Sequence, residues 1–453
     1  MPDGHARLRL HLCGASFVLV AAIYLSTGTM APYGVTVQYP AVLEPCHYLI
    51  NVDHAHFQAL SRMISGDDPS SWAWSVVLRR PLFAILAQPF VLAAGFLTGG
   101  VIASIVLNVI AMLVFASYVR QVVGPRGAIT TAWLLATYPG ITYWAGLPYS
   151  YVMIVPGALC CAMFLDRIAT AETAGAVSRA AFGMGIVFLG YDLYPFFIPA
   201  AVFVLLAGRR SRWIPAFIAV VLLPLIGLTL YYELIGVPVV NSNSVMYLRI
   251  IFSYLHPAEL QLWLRTLAEL PKLLVSNFLF SNFVFLPLLF VVAMILARIS
   301  ATRVLSLADG ALLLAGLALF LFNNAAPPYY GWQMRGEWIA RLYQPIVPAF
   351  LFACARVAEN IGGRWRTIWL PAVAITVLAN ASIAFGPILM NPLAARVYHD
   401  FYMHSPAESM LVNLRRFGRR PLGFCSTNHA WDNIPNPNTP LNRPQFMFRY
   451  PPR

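Results

Sequence analysis

The chain has 453 residues, of which 59% are hydrophobic and only 10% charged, with a mean hydropathy of +0.69. A soluble domain carries about 25% charged residues, so a water-soluble globule is excluded and a polytopic membrane protein is implied. The net charge of +13 is almost all arginine, Lys272 being the single lysine, and it is scattered between apolar runs. Such scatter matches the loop bias that orients membrane helices and argues against a nucleic-acid partner.

Apolar runs of about 17–25 residues are the expected spanning unit. Met1 to Arg9 is short and weakly basic, and 9–26 is the first run. No convincing cleavage site follows around Thr29 to Pro32, so this run reads as an uncleaved signal-anchor with the N-terminus inside. The stretch 27–80 then gathers a dense set of ionisable groups: Asp53, His54 and His56, then Asp67 and Asp68, then Arg79 and Arg80 before Pro81. Run 81–97 is interrupted by Pro89 and reads as a re-entrant or juxtamembrane helix, because a full crossing would invert every later loop.

Further spans are read at 99–119, 128–146, 150–166, 213–232, 277–297, 308–323, 341–358 and 367–386. Two shorter pieces, 180–190 and 195–208, read as a tight helical pair around Asp192. With this layout the basic loops Arg120–Arg126, Arg167–Arg179, Arg209–Arg212, Arg298–Arg303 and Arg356–Arg366 all fall inside. The outer face receives 27–80, the loop at 147–149, the Asp192 turn, 233–276, 324–340 and everything after 387. Within 233–276, the segments Val245–Tyr254 and Ala258–Leu270 read as interfacial helices.

The expectation is an all-α polytopic membrane protein with about eleven transmembrane helices and outer juxtamembrane helices, in a bacterial inner membrane. Residues 1–386 form the membrane domain and 387–453 a small outer (periplasmic) segment, polar and rich in Pro and Asn from Asn433 on. The tail is too short for a rich core of its own and is expected to pack on the outer loops. Cys46 and Cys425 both fall outside, where they either pair in an oxidising compartment or stay two unrelated thiols.

The outer face combines carboxylates (Asp53, Asp67, Asp68, Asp192, Glu337), cations (Arg79, Arg80, Lys272, Arg335, Arg341) and aromatic residues (Tyr329, Tyr330, Trp332, Trp338). Arginine clusters recruit anions, and apolar helices hold tails, which together suit a lipid phosphate. A carboxylate beside a bound phosphate ester takes a proton from an attacking hydroxyl. Plainer roles stand beside these: an N-cap for Asp53, an interfacial anchor for Arg80, an interface belt for Tyr329, Tyr330 and Trp332.

The order of these features resembles the membrane glycosyltransferases of the GT-C fold that use polyprenyl-phosphate sugars, such as aminoarabinose transferases and protein O-mannosyltransferases. Asp53 matches the catalytic outer-loop acid of those families. Phe57 stands at a Tyr position, Ser65-Gly66-Asp67 at a Ser/Ala-Gly-Asp stretch, and Arg80-Pro81 at a Lys-Pro. Arg341 with Pro345 and Pro348 is similar to a later Arg and Pro-x-x-Pro pattern, so the likeness spans residues 8–360. His54 replaces an acid that often follows, and Gly146-Leu-Pro-Tyr-Ser150 offers only hydroxyls where many members carry a second acid.

The resemblance implies inverting transfer of a sugar from a polyprenyl-phosphate donor to a hydroxyl of a lipid, glycan or protein acceptor. Asp53 would be the base, and Arg80, Lys272 and Arg341 would hold the donor phosphate. His54, His56, Tyr329, Tyr330, Arg335 and Glu337 would contact substrate. No cofactor is expected, with a divalent metal on Asp53, His54 and His56 as the alternative. A transporter or flippase of lipid-linked saccharide is the rival reading. It would place charges mid-span to line a path, whereas here they gather on one side.

Overall fold

The computed structural model describes residues 2–30, 80–94, 96–138, 140–141, 145, 150–191, 194–235, 264, 285–300, 304–325 and 344–389. In chain order the helices are α1 Pro2–Met30, α2 Leu82–Ala94, α3 Phe96–Val122, α4 Pro125–Ala136, α5 Ile154–Thr170 and α6 Ala174–Phe188. They continue as α7 Phe197–Ala207, α8 Ile214–Leu234, α9 Leu286–Ile299, α10 Leu307–Ala325, α11 Val347–Asn360 and α12 Gly363–Leu389. Every run read as a span has its helix.

Among the described residues, four stretches are long and apolar enough to cross a bilayer: Ala6–Tyr24, Gly99–Val122, Tyr151–Thr170 and Ser211–Leu234. Burial separates them: 72% of the α5 stretch lies inside the bundle, against 11% of the α8 stretch. Helix α5 accordingly touches α3, α6, α7, α10 and α11, and is the central post. Helix α8 leans mainly on α6 and turns Leu223, Ile226 and Leu230 outward, as a lipid-facing helix does.

Small residues set the close crossings, since van der Waals packing drives association once helices lie in lipid. A Cβ at Gly127 of α4 would stand 2.9 Å from the Ala355 carbonyl oxygen of α11. One at Gly185 of α6 would collide with the Val221 carbonyl and press on Pro224 of α8.

Helix α2 has 13 residues, about 20 Å at 1.5 Å per residue. A bilayer core is roughly 30 Å thick, so α2 is shorter than that core. It folds back on α3, whose Gly99 abuts the Phe90 backbone.

Two boundaries depart from expectation. Helix α4 stops at Ala136 rather than running to 146, because Tyr138 precedes Pro139 and a residue before proline is pushed out of the helical region. Helix α6 starts at Ala174 rather than near 180, because the Thr173 side chain caps it, accepting from the Ala176 N–H at 3.2 Å.

The short basic turns meet at one end of the bundle, joined by side chains. The Tyr118 hydroxyl of α3 donates to Asp166 of α5 at 2.6 Å. Arg356 of α11 pairs with Asp309 of α10 and donates to the Val304 carbonyl at 2.9 Å. The Ser306 N–H and hydroxyl each donate to that same Asp309 carboxylate at 2.8 Å. Arg210 donates to the Ala169 carbonyl near the end of α5 at 3.0 Å.

Glu359 completes the set. Its carboxylate accepts from the Arg126 N–H at 2.8 Å and the Gly127 N–H at 3.1 Å. Those are unsatisfied donors in the first turn of α4, whose N-cap is Gly124 at φ 144 with no side chain to offer. The carboxylate of α11 therefore caps α4 from outside, where the helix dipole favours negative charge.

Candidate functional site at the Arg80 end

The opposite end is built differently. The chain enters it at Arg80, with Pro81 fixing the backbone beyond. The Leu82 N–H donates to the Leu189 carbonyl at 3.2 Å, pinning this entry against the turn between α6 and α7. Arg80 is 7% exposed, a depth at which an arginine is held by partners.

Its guanidinium carbon lies 4.6 Å from the Tyr191 ring centre and 5.3 Å from that of Tyr151. The two rings stand at 83° with centres 6.1 Å apart, so the cation sits in the corner they form. Tyr151 belongs to the 3₁₀ turn Ser150–Met153 that leads into α5, and Tyr191 to the α6–α7 turn. Tyr191 packs edge-on against Tyr194, with centres 5.7 Å apart. The Tyr194 hydroxyl donates to the Met153 carbonyl and, at 3.0 Å, to the Ile154 carbonyl. Gly157 makes room for this ring, since a Cβ there would collide with it.

A second anchor lies at the same end. The Tyr138 hydroxyl donates to Gln344 Oε1 at 2.7 Å, with both residues buried. This fixes the turn Gln344–Ile346, three residues past Arg341, to the end of α4. Pro345 from that turn joins Phe196, Phe197, Leu312, Ala315 and Gly316 around a small apolar crevice of about 10 Å³. Phe197 packs edge-on against Tyr194, so the crevice adjoins the aromatic cluster around Arg80.

Of the site residues expected from sequence, Arg80 is the one the structure describes. Asp53, His54, His56, Lys272, Tyr329, Tyr330, Arg335, Glu337 and Arg341 lie outside the described residues. So do Cys46, Cys425 and, apart from Leu264, the two interfacial segments of 233–276. Tyr151, Tyr191 and Tyr194 were not singled out from the sequence. Their signal was nevertheless there: all sit in short turns on the face where the loop-charge pattern also places Arg80. Chemically, the arrangement offers a fixed cation at one end of an apolar bundle, beside an apolar crevice.

By sequence the chain matches no described protein family and no curated protein. By fold it is similar to the crystal structure of ArnT from Cupriavidus metallidurans bound to undecaprenyl phosphate. The TM-score is 0.53 at 15% sequence identity, over 90% of this chain and 69% of that one. At that identity the likeness is one of fold. It makes this chain a polytopic membrane bundle of the GT-C type, as its helices already indicate.

Proposed function

We propose that this protein is a membrane glycosyltransferase that moves a sugar from a polyprenyl-phosphate donor to a hydroxyl acceptor. One observation carries the reading: a buried, ring-held arginine at the end of a bundle whose fold is similar to a protein solved with undecaprenyl phosphate. In this reading Arg80, Lys272 and Arg341 bind the donor phosphate and stabilise it as it departs. Asp53 takes the proton of the acceptor hydroxyl while the anomeric carbon is displaced with inversion. His54, His56, Tyr329, Tyr330, Arg335 and Glu337 line the acceptor side. The site faces the outer side of the bacterial inner membrane, and the tail 387–453 shapes acceptor choice.

The test is glycosyl transfer by purified protein in liposomes, with a panel of polyprenyl-phosphate sugars and a membrane extract as acceptor source. Wild type is expected to transfer. Asp53→Asn is expected to lose about 10³-fold in rate while still binding donor, the scale of a lost general base. Equal rates would move the base elsewhere. Movement of lipid-linked sugar between leaflets with no transfer would replace the enzyme by a flippase.

A further inference from the structure

We propose that the turn 208–213, between α7 and α8, binds the headgroup of an anionic phospholipid in the leaflet at the basic end of the bundle. The proposal needs the membrane fold and not the transfer reaction.

The turn reads Gly208-Arg209-Arg210-Ser211-Arg212-Trp213, three arginines and no acid in six residues. Arg210 is committed to the protein, donating to the Ala169 carbonyl at 3.0 Å and the Ile168 carbonyl at 3.4 Å near the end of α5. Arg209 and Arg212 are exposed, and neither meets a carboxylate among the described residues. Arg209 also holds φ 56, a left-handed conformation that glycine adopts freely and other L residues resist. Loop-charge bias asks for positive charge near the end of a span, but not at a strained position. Strain that is kept in this way marks a position where the side chain is needed.

Trp213 sets the depth of the turn. The guanidinium carbons of Arg210 and Arg212 lie 5.5 Å and 5.8 Å from its ring centre. Tryptophan favours the level of the lipid headgroups, so Arg209 and Arg212 stand beside the phosphates. The planar fork of a guanidinium matches a pair of phosphate oxygens.

Below the turn the surface is apolar and open. Only 11% of the α8 stretch is buried, and Leu223 and Ile226 face outward, as does Leu206 of α7. Acyl chains therefore have a wall directly beneath the arginines, from which a soluble phosphate gains nothing. Exposed Arg179 adds charge from α6, the helix on which α8 packs. The described acids on this side are Asp166, engaged by Tyr118, and Glu172, exposed on the α5–α6 turn. Positive charge prevails, and it attracts an anionic headgroup.

The experiment is native mass spectrometry of full-length protein equilibrated with phosphatidylglycerol and phosphatidylcholine of equal chain length. Wild type is expected to retain phosphatidylglycerol preferentially. Arg212→Gln and Arg209→Gly should each lower that preference about fivefold, the weight of one basic residue near an anionic surface. Arg209→Gly should also melt no lower than wild type, because glycine takes φ 56 without strain. Arg298→Gln removes an exposed arginine at the same end, in the last turn of α9, and should leave the preference unchanged.

A wild type without preference, or turn variants that keep it in full, would overturn the proposal. An equal loss in Arg298→Gln would do so as well, since the lipid would then be following total charge. Glycerol phosphate at equal concentration should not displace the lipid. Displacement would mean a site for a soluble phosphate and would likewise end the proposal.

Discussion

Arg356 and Arg80 both reach into the bundle from opposite ends, and their neighbours differ. Arg356 meets a carboxylate, Asp309, which is itself held by Ser306, so the charges cancel within the protein. The Arg80 guanidinium is lodged against two tyrosine rings, which fix its place. Around Arg356 the other acids are similarly engaged, Asp166 by Tyr118 and Glu359 by the first turn of α4. One end is therefore fastened by an ion pair and hydrogen bonds, and the other holds a cation on aromatic faces. Two arginines in one fold are thus held by different chemistry.

The contrast predicts that damage at the two ends shows up in different measurements. Asp309→Asn leaves Arg356 without its partner and is expected to cost about 3 kcal/mol of stability. Thermal unfolding in detergent would show it, with transfer retained below the lowered midpoint. A mutant that kept its melting temperature but lost transfer would erase the distinction. Arg80→Gln should do the opposite, slowing transfer about 100-fold, or about 2.7 kcal/mol in barrier, with melting close to wild type. Glu359→Gln is the mildest, expected to cost about 1 kcal/mol as a weakened helix cap and nothing in transfer rate. If it slowed transfer, the two ends would be coupled rather than separate.

Much of the bundle can be read from apolar run length alone, because a lipid-facing helix must be apolar along its whole length. The same reasoning misplaced the end of α4, where Pro139 overrides hydropathy, and the start of α6, which begins earlier, at the Thr173 cap. Arg80 was legible as a cation before a proline on the face opposite the basic loops. Its tyrosine corner was not, because it forms only when the turns before α5 and after α6 come together. The cap of α4 by Glu359 is a contact across 233 residues, and its only local trace is Gly124. Burial of a cation, and the partner chosen for it, are properties of packing that run length does not encode.

The pair Asp309 and Arg356 also bears on how the protein is made. Each charge lies in a helix that must leave the translocation machinery for lipid, at a cost of about 3 kcal/mol for one near mid-helix and less toward its ends. Helix α10 is synthesised first and carries the acid; α11 follows and carries the base. Asp309 lies in the first turn of α10 and Arg356 in the last turns of α11, so each integrates at modest cost and pairing removes what remains once both have emerged. The pair therefore latches α11 to α10 after both have entered the membrane, and a chain cut between them should leave α10 inserted but unlatched.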